Sequence, residues 1–145
     1  MADNGRLMGN ISDGIVGNDI VGTWRLAMTR ASNDAGEPVR PPYGPSPMGI
    51  VVFGADGRMM AVLCDGRTSL PDGESFREYM SYCGNYRFDG STLVTRVDAS
   101  SDPDRVGGDQ VRRARFEDGR LVLRPPPRPW RGETQHREMF FERIA

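Results

Sequence analysis

The sequence predicts an all-β fold: a single eight-stranded up-and-down antiparallel barrel with long proline-rich loops. Short segments in which polar and apolar residues alternate recur along the chain, and turn signals separate them. No stretch shows the periodicity of an amphipathic helix. A Gly-Thr-Trp step opens the first segment, and Arg143 stands near the end of the last. A closed sheet of eight strands has room for packed side chains or for one small ligand.

Length and composition fit one folded domain. The chain has 145 residues, with 37% hydrophobic and 27% charged residues and a net charge of -1, which is ordinary for a globular protein and gives no indication of a nucleic-acid partner. We divide it into a flexible polar leader, residues 1–18, and a barrel domain, residues 19–145. The leader lacks the features of a secretion signal, and no apolar run approaches the roughly 20 residues of a membrane span. We therefore expect a cytoplasmic protein without a membrane partner.

The rarer residue types exclude several kinds of chemistry. All 19 basic residues are arginine, so a Schiff-base lysine is excluded. His136 is the only histidine, which excludes a metal site built on several imidazoles, and no glycine-rich phosphate loop is present. We expect no metal and no cofactor. Cys64 and Cys83 lie in separate predicted strands without a CxxC spacing, and free thiols are favoured. A disulfide between them is the alternative if those strands are neighbours.

The first half of the chain contains a long loop and a clear hairpin. The first strand is predicted from Ile20 to Ala31, and five prolines in the segment from Asn33 to Pro47 predict a loop. Strands from Ile50 to Phe53 and from Arg58 to Cys64 flank an Asp-Gly turn. The segment from Asp65 to Glu74 is predicted to be another polar loop.

Five more strands are predicted in the second half. They are Phe76 to Phe88, Thr92 to Ser100, Asp109 to Phe116, Leu121 to Arg124 and His136 to Ile144. A short helical turn within Asp72 to Glu78 is left open. Pro125 to Gly132 is too rich in proline to pair, so we predict an unpaired surface crossing there.

Strand alternation indicates which side chains face the interior, because successive residues point to opposite faces. In the sixth predicted strand Gln110 and Arg112 share a face with Ala114 and Phe116, whereas the other face is mostly charged. An inward arginine must be paired, since an isolated buried charge is unfavourable by several kcal/mol. Two partners stay open: a residue of the protein itself, or the carboxylate, enolate or phenolate of a ligand.

The same alternation selects the other candidate residues. Tyr82 and Tyr86 share the aromatic face of the fourth strand, and either core packing or ligand contact would suit them. Candidate catalytic residues are Arg112 and Tyr82, and His136 falls on an exposed, charged face. The last strand turns Arg137, Met139, Phe141 and Arg143 to one side. Candidate ligand-binding residues are Gln110, Tyr86, Met28, Thr95, Phe116, Met139 and Tyr43, the last from a loop that could cover the barrel mouth.

Several short motifs occur in a characteristic order. They are Val21-Gly22-Thr23-Trp24-Arg25-Leu26, Tyr43-Gly44-Pro45-Ser46-Pro47-Met48-Gly49, Asp56-Gly57-Arg58-Met59, Gly84-Asn85-Tyr86, Val106-Gly107-Gly108-Asp109-Gln110-Val111-Arg112, Asp118-Gly119-Arg120-Leu121 and Phe141-Glu142-Arg143. On these motifs the chain resembles the bacterial lipocalin-like domain family of the calycin superfamily, from Val21 to Ile144. The resemblance implies a structural closure in which Arg143 stacks on Trp24. Family members often carry a histidine where this chain has Thr95 and Arg96, so chemistry that depends on that imidazole is absent or reassigned.

Two functions from different classes are consistent with these residues. The first is a cofactor-independent lyase, isomerase or cyclase acting on an aromatic, terpenoid or polyketide-like molecule inside the barrel. Arg112 would stabilise developing negative charge there, and Tyr82 would transfer the proton. The second is a non-catalytic binding protein for a small hydrophobic ligand with an anionic end. The partner in both cases is a small hydrophobic or aromatic molecule, and the oligomeric state stays open, a homodimer included.

Overall fold

A computed structural model describes residues 19–130 and 132–145. The predicted leader, residues 1–18, lies outside the described residues. None of the described segments forms a helix long and apolar enough to cross a membrane.

The described chain folds into ten strands and one short 3-10 helix. The helix is Pro103–Arg105. The strands are β1 (Gly22–Ser32), β2 (Pro38–Val39), β3 (Pro47–Phe53), β4 (Arg58–Asp65), β5 (Tyr79–Phe88), β6 (Thr92–Ser100), β7 (Asp109–Glu117), β8 (Arg120–Arg124), β9 (Arg128–Trp130) and β10 (Glu133–Arg143).

Eight of these strands form a closed antiparallel barrel, which confirms the predicted fold. Their order is β1-β3-β4-β5-β6-β7-β8-β10, and β10 pairs again with β1 to close the sheet. Hairpin-type connections join most neighbours, as the turn signals predicted. The two remaining strands, β2 and β9, are short additions that pair with the ends of β1 and β10.

The structure corrects three details of the predicted strand pattern. Arg128–Trp130 pairs with Glu133–Gln135, whereas an unpaired crossing was predicted; a proline is tolerated in such a strand at the edge of the sheet, where its missing N–H group is not needed. The segment from residue 72 to residue 78 contains a turn and no helix. The fourth predicted strand begins at Tyr79 rather than at Phe76, whose side chain is exposed.

The two cysteines are free thiols. They lie on the neighbouring strands β4 and β5, but Cys83 is opposite Met60, and Cys64 is opposite Tyr79. Four residues of strand separate the two pairs, a distance of about 13 Å that a disulfide cannot span. Cys83 is only half-buried, and its thiol lies 3.4 Å from a carboxylate oxygen of Asp98.

Trp24 and Arg143 close one end of the barrel. The Trp24 indole is buried, and the guanidinium carbon of Arg143 lies 4.3 Å from the centre of its ring system. Arg143 also donates to the carbonyl oxygens of Val21 at 2.6 Å and Asp19 at 2.5 Å, while the indole N–H donates to the Ile20 carbonyl at 2.9 Å. The chain that enters β1 is therefore held across the base of the barrel.

A bulge in β1 reverses one predicted orientation. Leu26 pairs with Phe141, but Met28 pairs with Phe140, so β1 advances two residues while β10 advances one. The bulge turns Met28 to the outer surface, where its side chain is 37% exposed. The prediction that Met28 faces the interior is wrong for this reason.

The closure at the base can be tested with two arginine substitutions. Arg143→Met removes the cation–π contact and two charge-assisted hydrogen bonds, so we expect the free energy of unfolding to fall by about 2 kcal/mol. Arg25→Met is the matched control, because Arg25 makes a surface ion pair with Glu142, which is worth at most about 1 kcal/mol. Urea denaturation followed by circular dichroism measures both, and equal losses would contradict the assigned role of Arg143.

Candidate ligand-binding site

The end of the barrel opposite Trp24 contains a small internal cavity. Its volume is about 30 Å³, enough for about one water molecule. Strands β4, β5, β7 and β10 supply its walls, and the loops before β3 and after β8 cover it. The lining includes Tyr43, Tyr82, Arg105, Arg112, Arg137 and Met139.

Strand β7 places Gln110 and Arg112 on the inner face of the barrel, as the alternation predicted. Gln110 is 8% exposed, and Arg112 lines the cavity. The residues that follow each of them in the strand, Val111 and Arg113, are exposed. Thr95 on the neighbouring strand pairs with Gln110 and is fully buried. Gln110 and Thr95 therefore lie side by side in the inner wall, next to the cavity.

Arg112 has no acidic partner among the described residues. One of its terminal nitrogens donates to the carbonyl oxygen of Val111 at 2.9 Å. Its Nε is enclosed and has no hydrogen-bond partner. Burial lowers the pKa of Arg112, the Tyr82 phenol opposes this shift, and the Arg105 guanidinium adds to it. The sequence left two kinds of partner for Arg112, a residue of the protein or an anionic ligand. The described part of the chain supplies no carboxylate as such a partner.

Arg137 on β10 adds a second guanidinium that was not selected as a functional residue from the sequence. Its Nε is also enclosed and unpartnered. Burial, and after it the charges of Arg128 and Arg112, lower the pKa of Arg137 to about 10. The available signal was the alternation that selected Met139, because Arg137 lies two residues earlier on the same face.

Two phenols stand beside these guanidinium groups. Burial raises the pKa of Tyr82, while the charge of Arg112 and a hydrogen bond with Gln110 oppose the rise. Burial also raises the pKa of Tyr43 to about 12, with a contribution from the Tyr82 phenol. Both hydroxyl groups are therefore protonated at neutral pH and can donate hydrogen bonds to an anion.

Arg105 is the third cation of the lining and was also missed. Arg105 lies in the 3-10 helix and not in a strand, so the alternation of strand residues could not identify it. Arg105 forms an ion pair with Asp102 at 3.5 Å and donates a hydrogen bond to the side-chain oxygen of Gln110. Its charge is thus partly balanced inside the protein, in contrast to those of Arg112 and Arg137.

The segment around Tyr43 covers the cavity. Tyr43 has a positive φ of 65°, a conformation that non-glycine residues seldom adopt. Its backbone N–H donates to a Glu78 carboxylate oxygen at 2.8 Å, and Thr29 donates to the Pro42 carbonyl at 2.9 Å. These bonds hold the loop over the barrel mouth, so Tyr43 lies where the sequence placed it.

A chain of ion pairs connects this loop to the next one. Arg40 contacts Glu74 at 2.7 Å, Glu74 contacts Arg67 at 3.0 Å, and Arg67 contacts Asp65 at 2.5 Å. Asp65 is buried at the end of β4. The Arg67 guanidinium holds the pKa of the Asp65 carboxyl below its usual range. The two loops are therefore tied to each other and to the barrel wall.

The other candidate residues lie away from the cavity. Tyr86 donates to the Gly54 carbonyl at 2.7 Å and packs edge-on against Phe53. Phe116 is 40% exposed at the closed end, with its ring 6.2 Å from that of Trp24. His136 faces outward and contacts an Asp34 carboxylate oxygen at 2.8 Å. The structure thus brings Tyr43, Tyr82, Arg112 and Met139 together, and it separates them from Tyr86, Phe116 and Met28.

Metal chemistry has little support in the described residues. No group of three or more histidine, cysteine, aspartate or glutamate side chains within residues 19–130 and 132–145 is arranged to hold a metal ion.

Replacement of Arg137 by methionine is expected to stabilise the ligand-free protein. The substitution keeps the length of the side chain and removes an unpaired charge repelled by Arg112 and Arg128, so we expect a gain of roughly 1 to 2 kcal/mol at pH 7. Arg113→Met, on the outer face, is the control and should change stability little.

The gain should depend on pH in a defined direction. Because folding lowers the pKa of Arg137 to about 10, the unfavourable charge is present below that pH and is relieved above it. In denaturation experiments, the advantage of Arg137→Met should therefore stay constant up to about pH 10 and shrink progressively above that pH, where the folded protein releases the Arg137 proton and the unfolded chain still keeps it. A loss of stability at pH 7 would show that Arg137 has a stabilising partner.

Comparison with known proteins agrees with this architecture. Among the curated proteins, none matches the chain. A family model described as a lipocalin-like domain matches residues 21–144, a range that contains all eight barrel strands and every residue that lines the cavity. With this match and the closed eight-stranded barrel, the chain belongs to the lipocalin-like domain family.

Proposed function

We propose that the protein binds a small apolar molecule with an anionic end, and that Arg112 and Arg137 hold the anion inside the barrel. One observation carries this proposal: both arginines line the cavity, and both have an enclosed Nε without a hydrogen-bond partner in the part of the chain that the structure describes. An unpaired charge in such a place is unfavourable by several kcal/mol. A ligand carboxylate or phenolate would relieve that energy on binding, because its oxygens match the planar donor pairs of arginine.

The rest of the lining suits an apolar body. Leu63, Met80 and Met139 face the same cavity as the two arginines. Methionine side chains adapt to ligands of different shape because they are unbranched and flexible. The hydroxyl groups of Tyr43 and Tyr82 supply neutral donors at the boundary between the apolar and the charged part. A few polar groups in a mostly hydrophobic wall are typical of small-molecule sites.

Binding requires the cover of the cavity to move. A volume of about 30 Å³ holds about one water molecule, whereas pockets for small organic ligands have roughly 300 Å³ or more. We take the loop that carries Tyr43 as the part that moves, because β-strands form most of the remaining wall and side-chain hydrogen bonds attach this loop to the barrel. Because opening costs free energy, only a fraction of the molecules is open at equilibrium. The observed affinity equals the affinity of the open form multiplied by that fraction.

The contribution of the anionic end can be measured with two ligands of the same shape. We expect naphthoate to bind and its uncharged amide, naphthamide, to bind about tenfold more weakly, because a charge-assisted hydrogen bond contributes about 1.5 to 3 kcal/mol. Arg112→Gln should remove most of this difference. Arg113→Gln removes a charge from the outer face of the same strand and should preserve it. Isothermal titration calorimetry provides all four affinities.

Two results would contradict the proposed binding site. One is equal binding of naphthoate and naphthamide by the unchanged protein, which would mean that no cation meets the ligand. The other is an equal effect of the substitutions at Arg112 and Arg113, which would mean that only the overall charge of the protein matters.

A second candidate function is catalysis at the same place. The observation that favours it is the position of Tyr82, which burial keeps protonated: its phenol is hydrogen-bonded to the neutral amide of Gln110 and interacts with the charge of Arg112. A neutral acid beside a cation can donate a proton to an enolate, while the cation stabilises the negative oxygen. The protein would then be a cofactor-independent lyase, isomerase or cyclase. The expected cytoplasmic location, the absence of nucleic-acid and membrane partners, and a homodimer stay predictions.

Hydrogen exchange distinguishes the two candidates. With phenylpyruvate in D₂O, an enzyme would accelerate exchange of the benzylic protons above the spontaneous rate, and Tyr82→Phe would remove the acceleration while ligand binding persists. Tyr79→Phe is the control, because Tyr79 is exposed on the same strand. Proton NMR measures the rates. Exchange at the spontaneous rate in the presence of bound ligand would exclude this catalytic role.

A further inference from the structure

A third guanidinium stands close to Arg112 and Arg137. Strand β9 pairs with the start of β10, and this pairing puts Arg128 opposite Gln135, two residues before Arg137. Cross-strand partners share a face of the sheet, so Arg128 lies on the face that carries Gln135 and Arg137, and its charge contributes to the lowered pKa values of Arg112 and Arg137. Its guanidinium carbon lies 5.3 Å from the Trp130 ring centre, a stacking contact that helps to orient it.

The three arginines share an unusual deficiency of partners. The Nε atoms of Arg112, Arg128 and Arg137 are all enclosed, and none has a hydrogen-bond partner among the described residues. Within residues 19–130 and 132–145, no carboxylate forms an ion pair with any of the three. Arg105 and Arg40, which lie in the same region, are each paired with an acidic side chain.

The number of unbalanced charges bears on the charge of the ligand. A single carboxylate would balance one of the three cations and would leave the others repelling each other in a poorly solvated place. A head group with two negative charges balances two, and its several oxygens can accept hydrogen bonds from all three guanidinium groups. The cluster therefore fits a dianion better than a monoanion.

We propose, on the basis of the proposed binding function, that the ligand's anionic end is a dianionic head group, a phosphate monoester or a dicarboxylate attached to an apolar body. Both chemistries present a compact set of oxygens with two charges, and arginine forks recognise each of them. Arg112 and Arg137 line the cavity and hold the head group there, and Arg128 lies next to them on β9, opposite Gln135.

Three ligands with the same aromatic body test this proposal. At pH 8, where the second phosphate ionisation with a pKa of about 6 is complete, naphthyl phosphate or naphthalene dicarboxylate should bind about tenfold more tightly than naphthoate. The two dianions distinguish a phosphate ester from a dicarboxylate. Arg128→Gln should weaken the preference for the dianion, because it removes one of the three cations while Arg112 and Arg137 remain. Arg124→Gln is the control, because Arg124 is exposed at the end of β8.

Each outcome decides between specific statements. Tighter binding of either dianion, weakened in Arg128→Gln and unchanged in Arg124→Gln, supports the proposal. Equal affinities for naphthoate and both dianions would overturn it and would leave the monoanion site intact. A preference that Arg128→Gln and Arg124→Gln change to the same extent would also overturn it. If inorganic phosphate binds as tightly as naphthyl phosphate, the apolar body contributes nothing, and that result would reject the proposed function together with this inference.

Discussion

The hydrogen bonding between β1 and β10 is the constraint on which this structure depends. It converts a row of eight strands into a closed sheet and thereby gives the chain an inside and an outside. Arg143 lies on the inner face of β10 beside Trp24, so one end of the barrel is sealed where first and last strands meet. The opposite end, which has no such seal, is covered by loops. The position of the candidate site follows from this difference between the two ends.

The candidate site concentrates charge that the protein does not balance. Several arginines on the outer surface of the barrel have acidic neighbours, such as Glu138 for Arg30 and Asp98 for Arg58. Arg112, Arg128 and Arg137 lack such partners among the described residues, although their Nε atoms are enclosed. Functional sites commonly contain arrangements that lower stability in the free protein, because the same arrangement becomes favourable when a ligand arrives. The contrast between the two sets of arginines locates the site better than the cavity volume does.

Sequence reasoning predicted the barrel because alternation and turn residues are local properties of each strand. It also placed Gln110 and Arg112 correctly, since β7 runs without a bulge from Asp109 to Phe116. It failed at Met28, because the bulge in β1 arises from its pairing with β10, more than a hundred residues away. It missed the position of Arg128 beside the start of β10 for a related reason. Proline content predicted an unpaired segment, whereas the pairing with β10 that places Arg128 is a tertiary property.

The ion pairs from Arg40 through Glu74 and Arg67 to Asp65 have a consequence for how the barrel mouth could open. Glu74 bridges Arg40 on the Tyr43 loop and Arg67 on the loop after β4. Outward movement of the Tyr43 loop must therefore either break the ion pair between Arg40 and Glu74 or carry the second loop along. The two loops then behave as one hinged cover anchored at the end of β4. Dissolved salt would loosen that cover by screening its charges, and it would at the same time weaken the attraction of an anion to the arginines beneath. Faster exchange and weaker retention of a bound molecule would thus accompany each other as ionic strength rises.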